Sequence, residues 1–388
     1  MLNFGRLDAT ALTETALRRA GRSRYSDPSF YEPLRKLLSA YENEAALSLF
    51  GRFAARFDIL RCLTNLAHLD AAEDVDPSIT ARPITAPLFI TGLPRSSTTF
   101  LHTLLAQDPA NAVPLCWQLI YPFPPRRPWF GKDRRRDLVE WQFRIFKLLS
   151  PGVADLHSLS AEAPQECTDI TAQVFQSLRF DTTHHIPSYQ NWFDQQSQDN
   201  AFRFHRRFLQ NLDAQAPGRR WVLKSPDHVF CLDAIANTYP DARMVFLHRD
   251  PLSVVGSCAK LTEVLRKPFS RAVDPLVVGK NVADRLVASA ERMVVADGAD
   301  NILHLHFRDV IADPMAAVAK VYAHCGRDLP PAAKLKMLSW LASRPRARSR
   351  RHYDLAEFGL EAGDLRQRFA GYMRHFAVPM ERQAGESV

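Results

Sequence analysis

The segment PLFITGLPRSSTTFLHTLLAQDP, residues 87–109, carries the residues of this chain best suited to binding an anion. An apolar run ends at Gly92, and Arg95 then precedes a row of hydroxyl residues and an apolar pattern of helical spacing. The hydroxyl residues are Ser96, Ser97, Thr98 and Thr99. Hydroxyls, a guanidinium and the N–H groups of a helix start would together satisfy one phosphate group. Taken alone, the loop is more simply explained as a strand-to-helix turn capped by Ser or Thr.

The same loop approaches the nucleotide-binding pattern G-x-x-x-x-G-K-[ST] but lacks two of its parts. In that pattern the backbone cradles phosphates, the lysine reaches the β- and γ-phosphates, and the hydroxyl holds magnesium. Counting from Gly92, Ser97 stands in place of the second glycine and Thr98 in place of the lysine. The sequence therefore indicates a phosphate loop without the groups that serve a triphosphate and its magnesium ion.

A second candidate anion site follows another apolar run, in the segment VFLHRDPLSVVGS. Arg249 comes where the predicted strand ends, and Ser257 follows it by eight residues. Asp250 and Pro251 are suited to the cap and the first position of a helix. An arginine at a strand end and a serine on the next helix would bracket a second phosphate. The alternative is an ordinary helix start with an incidental surface arginine.

The elements that must position these loops alternate between strands and helices. Each predicted strand is a short apolar run, and each is followed by a segment of helical spacing. The predicted strands are Leu88–Thr91, Trp221–Lys224, Arg243–His248 and Asn301–Phe307, with helices around Val229–Thr238 and from Pro251 and Pro314. This alternation predicts an α/β fold with a P-loop-like parallel sheet and crossover helices. Ligands bind at the carboxyl ends of the strands in such sheets, which is where both loops fall.

The residues before this sheet are predicted to form a helical N-terminal segment. Asp8 is suited to the N-cap of the first helix and Gly21 to its end, and an apolar stripe continues from Pro28 to His68. The segment DVDPSITARPIT then interrupts the helical pattern, so we predict a boundary near Arg82. We expect a helical segment over residues 1–82 and a single domain over residues 83–388.

The composition limits the class of protein. A chain of 388 residues with 46% apolar residues is long enough for a large α/β domain with an appendage. The formal charge of +8 favours an anionic partner, but acidic residues are mixed among the basic ones, which disfavours nucleic acid. Six cysteines without a C-x-x-C pair indicate neither a disulfide framework nor a zinc site. Without a signal-peptide pattern or a stretch of membrane-spanning length, the sequence predicts a cytoplasmic protein with no integral membrane segment.

The two loops together resemble those of the sulfotransferases that use 3′-phosphoadenosine-5′-phosphosulfate (PAPS). Their phosphosulfate loop has a pattern like P-[KR]-[ST]-[GS]-[ST]-[ST]-[FW], which Pro94–Phe100 follows, and their 3′-phosphate motif has an arginine and a serine spaced as here. Further segments resemble the bacterial branch of this superfamily: CWQLIYPFPP, LHSLSAEAPQEC, WVLKSPDH, HFRDVIADP and RRHYDLAEFGL. The resemblance implies transfer of a sulfuryl group from PAPS to a hydroxyl or amine, with release of 3′-phosphoadenosine-5′-phosphate (PAP). It implies no metal, because a sulfuryl group carries less charge than a γ-phosphoryl group.

The resemblance also implies roles for individual residues. The loop residues that would bind the 5′-phosphosulfate are Arg95, Ser96, Ser97, Thr98 and Thr99. Arg95 and Lys224 would stabilise the charge that develops on the sulfuryl group and on the leaving phosphate. Arg249 and Ser257 would hold the 3′-phosphate. The late basic residues Arg351 and His352 would close over the nucleotide, and a solvated basic run explains them equally well.

An acceptor hydroxyl must lose its proton, and here the chain departs from the resemblance. Where many relatives have glutamate after a tryptophan, this chain has Gln118, whose amide cannot serve as a general base. Glu166 and His157 match the H…P-x-E-C segment, so we assign the base to this pair. Glu162 and His228 are further candidates. For each of the four, a surface carboxylate or a hydrogen-bonded histidine is the alternative.

Two other functions stay open at this stage. A P-loop kinase-type phosphotransferase would need magnesium and a lysine in the loop, and that lysine is absent. A catalytically degenerate nucleotide-binding protein would account for Gln118.

His304 and His306 share one face of a strand but lack a third ligand at usable spacing, so we predict structural histidines rather than a metal site.

Aromatic segments of the chain bear on the acceptor. Aromatic stretches such as YPFPPRRPWF and SYQNWF suit an apolar pocket. We therefore expect a small, apolar or lipid-like acceptor, with a sugar hydroxyl as the alternative. The N-terminal helices would cap the acceptor side of the site.

Overall fold

The computed structural model describes residues 7–123, 133–149, 160–344 and 353–381, and the chain divides into two compact units. A helical unit is drawn from Met1–Ile84, Pro114–Gly218 and Val264–Val273, and a sheet unit from Thr85–Val113, Arg219–Glu263 and Asp274–Val388. The chain therefore passes between the units several times. The predicted boundary near Arg82, between a helical segment over residues 1–82 and a single domain over residues 83–388, stays a prediction.

Ten α-helices of the described residues build the helical unit. They are Ala9–Ala20, Tyr31–Asn43, Leu49–Val75, Ser78–Ala81, Cys116–Ile120, Arg135–Leu149, Thr168–Thr171, Arg179–Thr183, Pro187–Asp194 and Asp199–Gln215. As predicted, Asp8 caps the first of them, because its carboxylate accepts a hydrogen bond from the N–H of Ala11. Gly21 ends the same helix in the left-handed conformation, with φ of 67°. The local signals at both ends of this helix are therefore confirmed.

A parallel five-stranded sheet forms the centre of the sheet unit. Its strands are β1 (Leu88–Gly92), β2 (Asn111–Ala112), β3 (Arg220–Lys224), β4 (Arg243–His248) and β5 (Ile302–His306), in the order β2-β3-β1-β4-β5. Every pair of neighbouring strands is parallel. The predicted α/β fold is confirmed. The carboxyl ends of β1, β3 and β4, from which both loops and Lys224 extend, lie at the same edge of the sheet.

Helices connect and flank these strands. Those wholly or mostly in this unit are Thr98–Leu105, Leu232–Thr238, Pro251–Arg266, Pro275–Val295, Phe307–Ala312, Pro314–His324, Pro331–Ser343, Ala362–Arg368 and Ala370–His375. The helix predicted around Val229–Thr238 begins late, because Ser225 first caps a 3₁₀ turn over Pro226–Phe230. Strand β2 was not predicted, since two residues carry no periodic pattern. Along the described stretches of the chain, no helix is both long and apolar enough to cross a lipid bilayer.

Packing at the end of β1 determines where the first loop begins. Leu88 and Ile90 pack with Leu247 of β4 and with apolar side chains of the helix Thr98–Leu105. Gly92 is aligned with Leu247 and has φ of 126°. A Cβ atom on Gly92 would lie 2.2 Å from the carbonyl oxygen of Leu247, so only glycine is accommodated. The loop therefore leaves the strand at a defined point.

Candidate active site

The loop between β1 and the helix Thr98–Leu105 turns its backbone twice through the left-handed region. Arg95 has φ of 62° and Ser97 has φ of 70°. Turns of this kind direct successive N–H groups into one concavity, which is an anion-binding arrangement. The following helix adds the N–H groups of its first turn, which lack partners within the helix. Ser97 makes no side-chain capping bond, so the simpler interpretation as a Ser/Thr-capped turn is not supported.

The hydroxyl of Ser96 is buried within this loop. Ser96 is 0% exposed, and no group among the described residues hydrogen-bonds to its Oγ atom. A buried polar atom without a partner costs about 1–3 kcal/mol. Native proteins keep such atoms rare, and they commonly mark a place where a ligand or water completes the bonding.

Lys224 brings a buried positive charge to the start of the same helix. The register of β1 and β3 aligns Lys224 with Ile90, and the lysine is 1% exposed. Its Nζ atom donates to Thr99 Oγ1 at 3.2 Å. Burial, and next the charge of Lys224, lower the pKa of His102 to about 3, so this histidine is neutral. The alternative of an ordinary surface lysine is therefore wrong.

In the second segment, Arg249 follows directly after the last residue of β4. Its Nη1 atom donates to the backbone carbonyl of Arg95 at 2.6 Å. Its Nε and Nη2 atoms donate to the carboxylate of Glu381 at 2.7 and 3.0 Å. The guanidinium carbon lies 4.0 Å from the centre of the Phe307 ring. With a side chain 15% exposed, Arg249 is not an incidental surface arginine.

Ser257 and Asp250 complete the second segment. The hydroxyl of Ser257 accepts a hydrogen bond from Arg95 Nε at 3.1 Å. The carboxylate of Asp250 accepts from the N–H of Leu252 at 3.0 Å, in the capping position expected from the sequence. Arg95 is thus bonded to the second segment twice, through its carbonyl to Arg249 and through its side chain to Ser257. The two candidate anion loops form one connected group.

The candidates for a general base lie in different units. Glu162 and Glu166 belong to the helical unit and His228 to the sheet unit. Glu162 forms an exposed ion pair with Arg136 at 2.8 Å. His228 is 2% exposed and packs edge-on against the ring of Phe89.

Glu166 lies near buried acidic and basic groups of the helical unit. Its backbone carbonyl accepts from the N–H of Asp169. Burial raises the pKa of Asp169, and the charge of Glu166 acts in the same direction, whereas Arg179 lowers it. Gln118 has a structural role, since its Oε1 atom accepts from the N–H of Leu115 at 3.0 Å. His157, Arg351 and His352 lie outside the described residues.

One of the two histidines of β5, His304, takes part in a polar network. His304 shares a hydrogen bond with His248 at 2.9 Å, and its other ring nitrogen lies 3.2 Å from Asp297. His375 contacts the second oxygen of Asp297 at 2.6 Å. Within the described ranges no group of three or more His, Cys, Asp or Glu residues is arranged to hold a metal ion.

Two contacts of the site were missed by the sequence analysis. Glu381 and Phe307 both touch Arg249, and Glu381 is 132 residues away along the chain. Neither residue belongs to a periodic or spaced pattern with Arg249. No signal in a single sequence would have found them, because the contacts depend on how Phe307, after β5, and Glu381, near the C-terminal end, pack against the residue that follows β4.

The sheet and its two connected loops define a class of α/β proteins that bind phosphate compounds at the carboxyl ends of parallel strands. Residues 87–331 match the sequence profile of the Sulfotransferase family. The chain belongs to that family, and the resemblance found in the sequence is confirmed.

Solved structures and a curated relative agree with this assignment. Sulfotransferase STF1 from Mycobacterium tuberculosis is 30% identical with a TM-score of 0.82, over 94% of this chain and 99% of that one. Sulfotransferase STF9 from Mycobacterium avium is 26% identical with a TM-score of 0.83, over 97% and 98% of the two chains. Omega-hydroxy-beta-dihydromenaquinone-9 sulfotransferase Stf3 of Mycobacterium bovis is 25% identical over 257 residues. That match spans 62% of this chain and 62% of the curated relative.

Proposed function

We propose that this protein is a sulfotransferase that moves a sulfuryl group from PAPS to a hydroxyl or amine of a small, apolar or lipid-like acceptor, releasing PAP. The observation that carries the proposal is the bonding of Arg95 to both Arg249 and Ser257. It joins a loop suited to one phosphate to a segment suited to another. A nucleotide with phosphates at both its 5′ and 3′ positions needs such a pair of sites.

The residues present fit this donor. The left-handed turns at Arg95 and Ser97 form an anion-binding concavity, and the buried Oγ of Ser96 needs a hydrogen-bond partner. A phosphosulfate would supply acceptor oxygens for that hydroxyl and for the loop N–H groups. Ser97, Thr98 and Thr99 are adjacent in the same turn. Family membership supports PAPS as the source of these phosphates.

Lys224 and Arg95 are our candidates for stabilising charge during transfer. When bound, PAPS supplies an activated sulfuryl group on its 5′-phosphate. Lys224 places its Nζ atom in a buried position, where a positive charge acts more strongly than in water. Arg95 adds a guanidinium whose Nε is already oriented by Ser257. Arg249 and Ser257 would bind the 3′-phosphate, and Arg351 and His352 stay predictions for contacts to the nucleotide.

The proposal also includes the acceptor and the base that takes its proton. The relative from Mycobacterium bovis is named for a hydroxylated dihydromenaquinone, which supports a lipid-like alcohol as acceptor. Glu166 and His157 stay our candidates for taking the proton of that alcohol. A cap formed by residues 1–82 on the acceptor side stays a prediction.

The proposal is tested by calorimetric titration of the protein with PAP, ATP and 5′-AMP in the absence of magnesium. We expect PAP to bind much more tightly than the other two, because it alone has phosphates for both segments. A parallel titration with ATP and magnesium tests the kinase-type alternative. Tighter binding of ATP with magnesium than of PAP would overturn the proposal.

A second experiment separates an enzyme from a degenerate nucleotide-binding protein. The protein is incubated with PAPS and a panel of phenols, sterols and long-chain alcohols, and release of PAP is followed. We expect release that depends on the acceptor. Tight PAP binding with no acceptor-dependent release across the panel would favour the degenerate binder.

A further inference from the structure

The carboxylate of Glu381 lies inside the second anion segment. It accepts two hydrogen bonds from the guanidinium of Arg249 and a third from Ser253 Oγ at 3.2 Å. The Glu381 side chain is only 3% exposed. A forked guanidinium and a hydroxyl are the donors that a phosphate oxygen would take in the same place. The carboxylate therefore makes the bonds expected of a phosphate.

The backbone around Glu381 fixes the carboxylate in this position. The N–H of Glu381 donates to the Asp250 carboxylate at 2.7 Å, while the other oxygen of Asp250 caps the following helix. The carbonyl of the preceding residue, Met380, accepts from Arg308. The segment that carries Glu381 is thus attached to Asp250, which caps the helix Pro251–Arg266 of the second segment.

Glu381 reduces what Arg249 can offer to a further anion. A guanidinium has five N–H donors, and Arg249 directs donors from all three of its nitrogens at Glu381 and at the carbonyl of Arg95. The negative charge of Glu381 cancels the positive charge of Arg249. A second anion at this guanidinium would also be repelled by the carboxylate, because like charges at close range oppose each other in a site with little water.

We infer that Glu381 competes with the 3′-phosphate of the nucleotide for Arg249 and thereby weakens the binding of PAP. The inference rests on the proposed function, which assigns that phosphate to Arg249. The carboxylate lowers the affinity for the product nucleotide and favours its release. Glu381 is in this sense an internal competitor that sets the affinity of the site for nucleotides with a 3′-phosphate.

The test compares PAP with 5′-AMP, which lacks the 3′-phosphate, by calorimetric titration. The variant is Glu381→Gln, which keeps the shape of the side chain and removes its charge. We expect the variant to bind PAP about tenfold more tightly than the wild type does, which corresponds to one charge-assisted hydrogen bond. Its affinity for 5′-AMP should be unchanged.

Glu73→Gln is the matched control. Glu73 also forms a forked ion pair with an arginine, Arg207, and its side chain is 12% exposed, but it belongs to the helical unit. This variant should leave PAP affinity unchanged. Glu381→Asp shortens the side chain but keeps its charge, so it provides a second variant if Glu381→Gln does not fold. It should tighten PAP binding by less than Glu381→Gln.

The outcomes distinguish the inference from the function on which it rests. PAP affinity that is unchanged or weaker in the Glu381 variants overturns the inference, provided that Arg249→Ala still weakens PAP binding. If the wild type fails to bind PAP, or Arg249→Ala binds it as well as the wild type does, the proposed function itself is wrong.

Discussion

Arg249 donates a hydrogen bond from Nη1 to the backbone carbonyl of Arg95 at 2.6 Å. The two residues belong to different loops, at the ends of β4 and β1, and the bond fixes the guanidinium of one against the backbone of the other. Because Arg95 adopts a left-handed conformation, its carbonyl turns toward Arg249 while its side chain reaches Ser257. The two candidate phosphate segments are therefore structurally coupled.

Lys224→Ala should strongly slow sulfuryl transfer and leave PAP binding measurable. The buried ammonium is our candidate for stabilising the leaving phosphate, and removal of one such group costs about 10²–10³-fold in rate. PAP release is measured with an accepted alcohol, and PAP affinity by titration. Lys280→Ala is the control, because Lys280 pairs with Asp284 at the surface. Transfer at the wild-type rate in Lys224→Ala would remove Lys224 from the mechanism.

Arg249→Ala should weaken PAP binding by about 10²-fold, since two charge-assisted hydrogen bonds to the 3′-phosphate would be lost. It should also lower the free energy of unfolding by about 3–5 kcal/mol, because the buried Glu381 would be left without its ion-pair partner. Titration and urea denaturation measure the two effects. Arg368→Ala, which removes a surface arginine paired with Asp284, should change neither by a comparable amount. Equal PAP affinity in Arg249→Ala and wild type would refute the 3′-phosphate assignment.

Ser96→Ala should weaken PAP binding without lowering the stability of the nucleotide-free protein. Without nucleotide, the variant should be as stable as the wild type or about 1 kcal/mol more stable, because a buried hydroxyl without a partner is replaced by a methyl group. PAP affinity should fall, since the hydroxyl is proposed to bond the phosphosulfate. Thermal unfolding with and without PAP tests both parts. A loss of stability in the nucleotide-free variant would mean that Ser96 serves the fold instead.

The stability of the protein should decrease as the pH is lowered from about 6.5 toward 3, partly because of His102. Burial and the charge of Lys224 lower the pKa of His102 to about 3, so the unfolded chain binds a proton that the folded chain does not. At pH 5 this costs about 2 kcal/mol. The folded histidine instead donates Nε2 to the carbonyl of Val222 at 3.0 Å.

His102→Gln retains a donor for that carbonyl and removes the titration. The difference in unfolding free energy between pH 7 and pH 5 should therefore shrink by about 2 kcal/mol, as measured by urea denaturation at both values. His205 is also buried with a pKa lowered to about 3, and it lies in the helical unit, so His205→Gln gives a comparable change without involving Lys224. An unchanged pH dependence in His102→Gln would contradict the assignment.

The sequence by itself determined the local features of this protein. The cap at Asp8, the helix end at Gly21, the helix start at Asp250 and the strands that precede each loop follow from short-range hydrogen bonding and from hydrophobic spacing. The order and spacing of the two loops also indicated the family. These signals are readable because each depends on residues within a few positions of one another.

Tertiary structure alone decided how the site residues are bonded. The alignment of β3 with β1 buries Lys224 beside Thr99, and a one-residue shift in that register would turn its side chain to the other face of the sheet. Arg95 meets Ser257 across 162 residues of sequence, and Arg249 meets Glu381 across 132. Contacts over such separations depend on packing between distant elements. They therefore leave no periodic pattern in a single sequence.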